Sequence, residues 1–218
     1  MRRPGADDRS VGNLAVHALR ERILHDGRNL GRGILKVDSF LNHQIDPLLI
    51  DDCGRELASR FRRVGATKVL TAEISGIAPA VTTALHLRVP LVYARRTRPV
   101  TMTDQVLLRV APSHTRGQMV ELIVSPEYLL PHDRVLIIDD FLATGQTILG
   151  LARLAQAAGA AVVGVGAVIE KSFEGGREAL TRLEVPVESL AIVTDMSGGR
   201  IVVASNGEAP QSMRSPSV

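Results

Sequence analysis

Residues 134–148 read RVLIIDDFLATGQTI, and this stretch decides the fold. Residues 135–138 are an unbroken apolar run rich in β-branched side chains, the pattern of a strand buried on both faces of a parallel sheet. Two adjacent carboxylates, Asp139 and Asp140, then stand where such a strand would end. Ala143, Thr144, Gly145, Gln146 and Thr147 follow as a small, hydroxyl- and glycine-bearing turn that leads into a helix. In open α/β sheets ligands bind beyond the carboxyl ends of the strands, so this order of parts is site-like. Backbone N–H groups at a helix start, together with the helix dipole, favour an anion such as phosphate. Thr144 and Thr147 add hydroxyl donors, and Gly145 allows the backbone to approach a ligand closely. Paired carboxylates need a diol, a magnesium ion or nearby cations to satisfy them. Phosphate on one side and polyol or metal on the other describe a sugar phosphate. An acid pair alone is often a solvated loop start, and Thr-Gly alone a capped turn; the complete string carries the reading.

Outward from this stretch, strands and helices alternate. Downstream lie a helix over 147–158, a buried strand over 161–169 followed by Glu170, Lys171, Ser172 and Phe173, a short helix over 177–183, and strands over 187–193 and 200–203, the last at an edge. Upstream, a strand over 69–72, a turn over 73–76 and a helix over 77–87 repeat the logic of the opening motif, with a second anion cradle around Ser75 and Gly76. Strands over 89–94 and 119–124 flank residues 95–117, which show little periodicity and carry Arg95, Arg96, Arg98, Arg109 and Arg116. We read these residues as an arginine-rich lid able to cover a pyrophosphate, against the alternative of a β-hairpin with arginines facing water. Nearer the N-terminus, 14–24 and 48–64 read as helices, 34–37 as a short strand and 38–47 as a polar loop. The alternation predicts an α/β fold, a doubly wound, mainly parallel sheet flanked by helices. Segments 73–76, 139–147 and 170–173 would then gather at one edge, around one cleft. Residues 1–13 are expected to be a flexible extension, 14–205 one domain with a small N-terminal hood over 14–47, and 206–218 a disordered tail.

Composition narrows the function. A chain of 218 residues with 45% hydrophobic content has ample material for a core. Aromatic content of 3% and the absence of Trp leave little for a platform that stacks single-stranded nucleic acid. The net charge of +3 rests almost wholly on arginine, which suits small anionic ligands. Cys53 stands alone, so neither an internal disulfide nor a Cys-based zinc site is available, and it reads as a small, partly buried hydrophobe in a helix. No apolar run approaches membrane length and no signal core opens the chain, so a cytoplasmic protein without membrane or nucleic-acid partners is expected. A nicotinamide dehydrogenase or P-loop reading finds neither G-x-G-x-x-G after a strand nor G-x-x-x-x-G-K-[ST].

Four stretches in order, LKVDSFLNHQIDP (35–47), SGIAPA (75–80), VLIIDDFLATGQ (135–146) and VIEKSF (168–173), carry a resemblance to the type I phosphoribosyltransferases, and among them to the xanthine phosphoribosyltransferases. The resemblance implies transfer of a ribosyl phosphate from 5-phosphoribosyl-1-pyrophosphate (PRPP) to xanthine, with magnesium held mainly through PRPP, in a homodimer. It further implies that Leu35, Asn42 and Lys171 contact the purine and that Asp139 and Asp140 hold the ribose. Ala143, Thr144, Gly145, Gln146 and Thr147 would bind the 5-phosphate, while Ser75, Gly76, Arg95 and Arg96 would meet the pyrophosphate. Ile74 stands where the family has Ser, and Thr144 where Asn can occur. The ammonium of Lys171 can donate to an oxo group but not to an adenine amino group, which favours a 6-oxopurine. Xanthine is itself acidic, so no general acid or base is assigned. Two rival readings follow: the same chemistry on guanine, hypoxanthine or adenine, and a PRPP-sensing transcription regulator. The piece before Leu35 is too short for the winged helix that a regulator would need.

Overall fold

The computed structural model describes residues 8–100, 102, 106–112 and 119–205. Residues 1–7 of the expected extension, the tail from 206, and Arg116 lie outside them. In chain order come helix α1 (Asp8–Asp26), short strands β1 (Arg28–Asn29) and β2 (Leu35–Lys36), α2 (Pro47–Arg60), β3 (Lys68–Ala72), α3 (Ile77–Leu87) and β4 (Leu91–Ala94). A hairpin of β5 (Leu107–Pro112) and β6 (Met119–Val124) precedes β7 (Arg134–Leu142), α4 (Gln146–Ala157), β8 (Ala161–Lys171), α5 (Gly176–Leu180), β9 (Val187–Asp195) and β10 (Val202–Val203). The main sheet runs β10-β9-β8-β7-β3-β4, parallel throughout except for β10 at the edge.

Strand β7 fixes the layers. Its Leu136 and Ile138 join Val69 and Val168 against Leu19 and Ile23 of α1, Leu57 of α2 and Ala80 and Ala84 of α3. The alternate residues Val135 and Ile137 join Leu70 and Val165 on the opposite face, against Leu151 and Leu154 of α4 and Leu122 and Val124 of β6. Each such side chain, fully buried, contributes roughly 1.5–3 kcal/mol of transfer free energy. Helix α2 starts at Pro47 because Asp46 caps it, its carboxylate accepting the Leu49 N–H at 3.2 Å. Gly54 lets α3 approach closely, since a Cβ there would lie 2.1 Å from Thr82 Oγ1.

Several boundaries depart from the sequence reading. Helix α1 begins at Asp8 rather than residue 14, so residues 8–13 are helical rather than part of an extension. Residues 38–42 form one turn of π-helix instead of a loop, because Phe40 and Leu41 turn inward and are buried. Strand β7 continues through both acids to Leu142, and β8 through Glu170 and Lys171, because their neighbours keep pairing: Asp139 with Ala167, Phe141 with Ile169 and Lys171 with Val193. These groups are therefore strand residues and not the start of loops. The aperiodic lid is also corrected in part. Leu107–Pro112 is a strand, held antiparallel to Met119–Val124, and α4 packs against it.

At the opposite end of the sheet a buried ion pair ties β3 to the turn before β7. Lys68 Nζ donates to Asp133 Oδ2 and to the Tyr128 carbonyl, each at 2.7 Å. Burial alone would push the Asp133 carboxyl up, but the hydrogen bonds from Lys68, the Leu130 amide and Thr67 outweigh it and hold the group below the usual carboxylate range. A lowered folded pKa gives stability that is present above the unfolded value of about 3.9 and is lost as pH falls through the folded value. Denaturant unfolding should therefore lose free energy below about pH 4 in the wild type, with a shallower loss in Asp133→Asn. Lys68→Met should cost about 3–5 kcal/mol at neutral pH by leaving a buried carboxylate without its cation.

Candidate active site

Because β3, β4, β7 and β8 are parallel neighbours, Ala72, Ala94, Leu142 and Lys171 all end on the same side of the sheet. The loops leaving them carry the residues singled out above. Asp139 and Asp140 are both buried, and the Asp140 N–H donates to Asp139 Oδ1 at 3.0 Å. Burial pushes the Asp139 carboxyl well above the usual carboxylate range, and the charge of Asp140 adds to the effect; Arg96 pulls weakly the other way.

Gly76 closes one side of this acid. A Cβ on it would lie 2.7 Å from Asp139 Oδ1 and 2.4 Å from Thr71 Oγ1, so only glycine lets the 73–76 loop lie against the carboxylate. Thr71 is fully buried, and its hydroxyl has no hydrogen-bond partner among the described residues. Ser75 is half-buried beside Gly76, whereas Ile74, at the position of the family's Ser, is 79% exposed and offers no polar group. Arg96 is docked on the same loop: its N–H donates to Glu73 Oε1 at 2.7 Å and its Nε to the Glu73 carbonyl at 3.1 Å. Arg95 instead braces the hairpin, exchanging backbone hydrogen bonds with Ile123, and its guanidinium lies 5.9 Å from the Tyr93 ring centroid. Arg98 reaches toward the Met102 carbonyl, and Arg109 stands exposed on β5, donating to the Leu108 carbonyl.

On the other side of the acids, residues 143–145 lead into α4. Gly145 takes the left-handed conformation (φ +75°) at the N-cap, and no side chain caps the helix. The first amides of α4, from Gln146 and Thr147 onward, have no intrahelical carbonyl to bond. Thr144 and Thr147 are half-buried beside them, and Ala143 is buried. An uncapped helix start with hydroxyls at its rim is an anion cradle.

The third part lies at the end of β8. Lys171 is buried; its Nζ donates to the Gly33 carbonyl at 2.8 Å and pairs with the Glu174 carboxylate. Gly33 precedes β2, so the ammonium sits under the N-terminal hood, two residues from the buried Leu35. Asn42 is exposed at the end of the π-turn. The hood is itself anchored across the sheet, because Asn29 Nδ2 donates to the Met196 and Arg200 carbonyls at 2.6 and 3.0 Å. The sequence reading passed over Thr71, Glu73 and Glu174. Glu73 and Glu174 are acids within a few residues of a singled-out cation or glycine, and that adjacency was a usable signal. Thr71 gave none, since a threonine in a buried strand is ordinary.

An uncapped helix start, a buried acid pair and a sheltered ammonium thus lie along one sheet edge. Residues 44–198 match the Phosphoribosyl transferase domain family, and the chain belongs to that family. Among curated relatives it is 48% identical to the xanthine phosphoribosyltransferase of Moorella thermoacetica, over 88% of this chain and 97% of that protein. It is 45% identical to the xanthine phosphoribosyltransferase of Macrococcus caseolyticus, over 88% of this chain and 100% of that protein. Among solved structures, adenine phosphoribosyltransferase from Rhodothermus marinus superposes with a TM-score of 0.67 at 26% identity, over 83% of this chain and 99% of that one.

A buried acid with a raised pKa binds more protons folded than unfolded. Its stabilising protonation is present below about pH 3.9 and is lost as pH rises toward the folded value. Asp139→Asn should therefore raise the melting temperature at pH 7, by about 2–4 °C for each kcal/mol released, with the gain vanishing near pH 3. A lower melting temperature at pH 7 would mean that the carboxylate is already fully compensated.

Proposed function

We propose that this enzyme transfers the 5-phosphoribosyl group of PRPP to N9 of xanthine, giving xanthosine 5'-monophosphate and pyrophosphate in purine salvage. The observation that carries this reading is the placement of Lys171, whose buried ammonium is held at the hood carbonyl on the same sheet edge as the acid pair and the uncapped start of α4. The relatives named for xanthine support the same substrate.

Each part then has a task. The amides and hydroxyls of 143–147 hold the 5-phosphate, and Asp139 and Asp140 accept hydrogen bonds from the ribose hydroxyls. Ser75, Gly76 and Arg96 face the pyrophosphate, with Arg95 bracing the hairpin behind them. Cleavage of the anomeric bond builds positive charge on the ribosyl ring, which the adjacent carboxylates stabilise, so catalysis is mainly positioning and electrostatics. Among the described residues no group of three or more His, Cys, Asp or Glu is placed to hold a metal. Magnesium fits as an ion carried mainly by the phosphate oxygens of PRPP, with the hard oxygens of Asp139 and Asp140 nearby. When bound, it neutralises charge on the leaving pyrophosphate. Lys171 donates to a purine oxo group, with Leu35 packing on the ring and Asn42 offering both donor and acceptor to its edge.

The reading includes a homodimer and a cytoplasmic location. Leu48, Ile74, Val81 and Leu85, exposed on and beside α2 and α3, supply an apolar surface for a second copy. No helix of the described residues is long and apolar enough to cross a membrane.

Nucleotide formation from PRPP and magnesium should be at least tenfold faster with xanthine than with guanine, hypoxanthine or adenine, measured by chromatography (roughly a 1.4 kcal/mol discrimination). Preference for another base would overturn the assignment of the hood, and PRPP binding without turnover of any base would favour a sensor. Lys171→Ala should raise KM for xanthine by about 10–100-fold through loss of a charged hydrogen bond, leaving KM for PRPP nearly unchanged. Asp140→Asn should instead weaken PRPP use. Equal effects of Lys171→Ala on both substrates would make the lysine structural.

A further inference from the structure

Next to Lys171 stands a second buried charge for which the reaction has no evident use. Glu170 is 1% exposed, yet it ends a strand of otherwise apolar and small residues. Arg177, in the first turn of α5, meets it with a fork: Nε donates to Oε1 at 2.9 Å and Nη2 to Oε2 at 2.5 Å. The same guanidinium donates to the Val187 carbonyl at 2.8 Å and to Ser189 Oγ at 3.3 Å, so β8, β9 and α5 are joined through one side chain. The Glu170 hydrogen bond raises the Arg177 pKa against the effect of burial, so the cation is permanent.

The residue before Arg177 is Gly176, and its backbone is the floor under residues 143–145. A Cβ on Gly176 would lie 2.2 Å from the Ala143 carbonyl oxygen, and a Cβ on Gly145 would lie 3.1 Å from the Gly176 carbonyl oxygen. The two glycine backbones are in van der Waals contact, with no side chain between them. Wherever Arg177 is held, Gly176 is held, and the loop rests on it.

We propose that the Glu170–Arg177 pair is the positioning element of the 5-phosphate loop: it fixes Gly176, whose backbone sets the height at which residues 143–147 present their amides. The inference rests on the reading of those residues as the phosphate cradle. Neither charged group touches substrate. The same end of β8 thus serves both halves of the reaction, Lys171 toward the purine and Glu170 toward the phosphate.

The test uses the whole enzyme and the variant Arg177→Lys, which keeps the charge and loses the fork. Calorimetry measures ribose 5-phosphate and pyrophosphate affinity separately, and steady-state kinetics give KM for PRPP and for xanthine. A displaced loop should weaken ribose 5-phosphate and raise KM for PRPP by between about tenfold and a hundredfold, with pyrophosphate affinity and KM for xanthine within twofold of wild type. Gly176→Ala, which pushes on the loop and leaves the ion pair whole, should give the same split, and it serves if Arg177→Lys does not fold. Wild-type affinity for ribose 5-phosphate in either folded variant overturns the proposal, as does a uniform fall in all four quantities. Failure of the wild type to bind ribose 5-phosphate would instead overturn the reading of the cradle.

Discussion

Two carboxylates at successive positions of a central strand are the constraint to which the rest of the site answers. Burial of Asp139 beside Asp140 disfavours its charge, and the described residues answer it with a backbone N–H and the opposing pull of Arg96. A fully compensated pair would be more stable and less useful, because its lone pairs would already be occupied. The unpartnered Thr71 hydroxyl beneath the same loop belongs to this pattern of polar groups left without protein partners. In the proposed reaction the ribose hydroxyls supply what is missing, so substrate binding and relief of a buried charge are one event.

The frame that bears this strain is ordinary close packing. Both faces of β7 are sealed, by α1–α3 on one side and by α4 and the hairpin on the other, which fixes the acids without a hydrogen-bond network of their own. Polar ties sit at the rims instead. Lys68 with Asp133 closes the end away from the site, Arg177 with Glu170 ties the end of β8 to α5, and Asn29 anchors the hood. Each is a buried or half-buried group joining different elements, where its value lies in fixing geometry more than in net stability.

Much of this was legible beforehand because the chain announces it locally. The apolar run 135–138, the acids after it and the Thr-Gly turn are consecutive, so the central strand, the acid pair and the start of α4 could be read from a single string. The α/β layering followed from alternation alone. Strand ends were misplaced because a strand stops where its neighbour stops pairing: β8 carries β7 past Asp140, and β9 carries β8 as far as Lys171, and pairing partners are not visible in a single segment. The hairpin containing β5 was weighed but set below a lid, because LLRVAP alternates imperfectly and takes its structure from β6 and α4. Lys171 stood out as a lysine in a lysine-poor chain, whereas its neighbour Glu170 did not, since its meaning depends on Arg177 seven residues away and on a glycine contact across the site.

The purine end follows a different logic from the acid pair. Lys171 is not left wanting: Glu174 neutralises it and the Gly33 carbonyl takes one of its protons. An ammonium has three donors, so a further acceptor can be met without surrendering either contact. A purine with an oxo group in reach adds that acceptor and leaves nothing unpaired. A purine with an amino group there places donor against donor in a sheltered pocket, where a buried unsatisfied group costs about 1–3 kcal/mol. In the proposed reaction, selection against adenine would then arise from repulsion at a satisfied lysine, without a tighter contact between the hood and xanthine. The adenine phosphoribosyltransferase from Rhodothermus marinus shares the scaffold, and on the proposed reading the end of one strand, under one short hood, would decide the base.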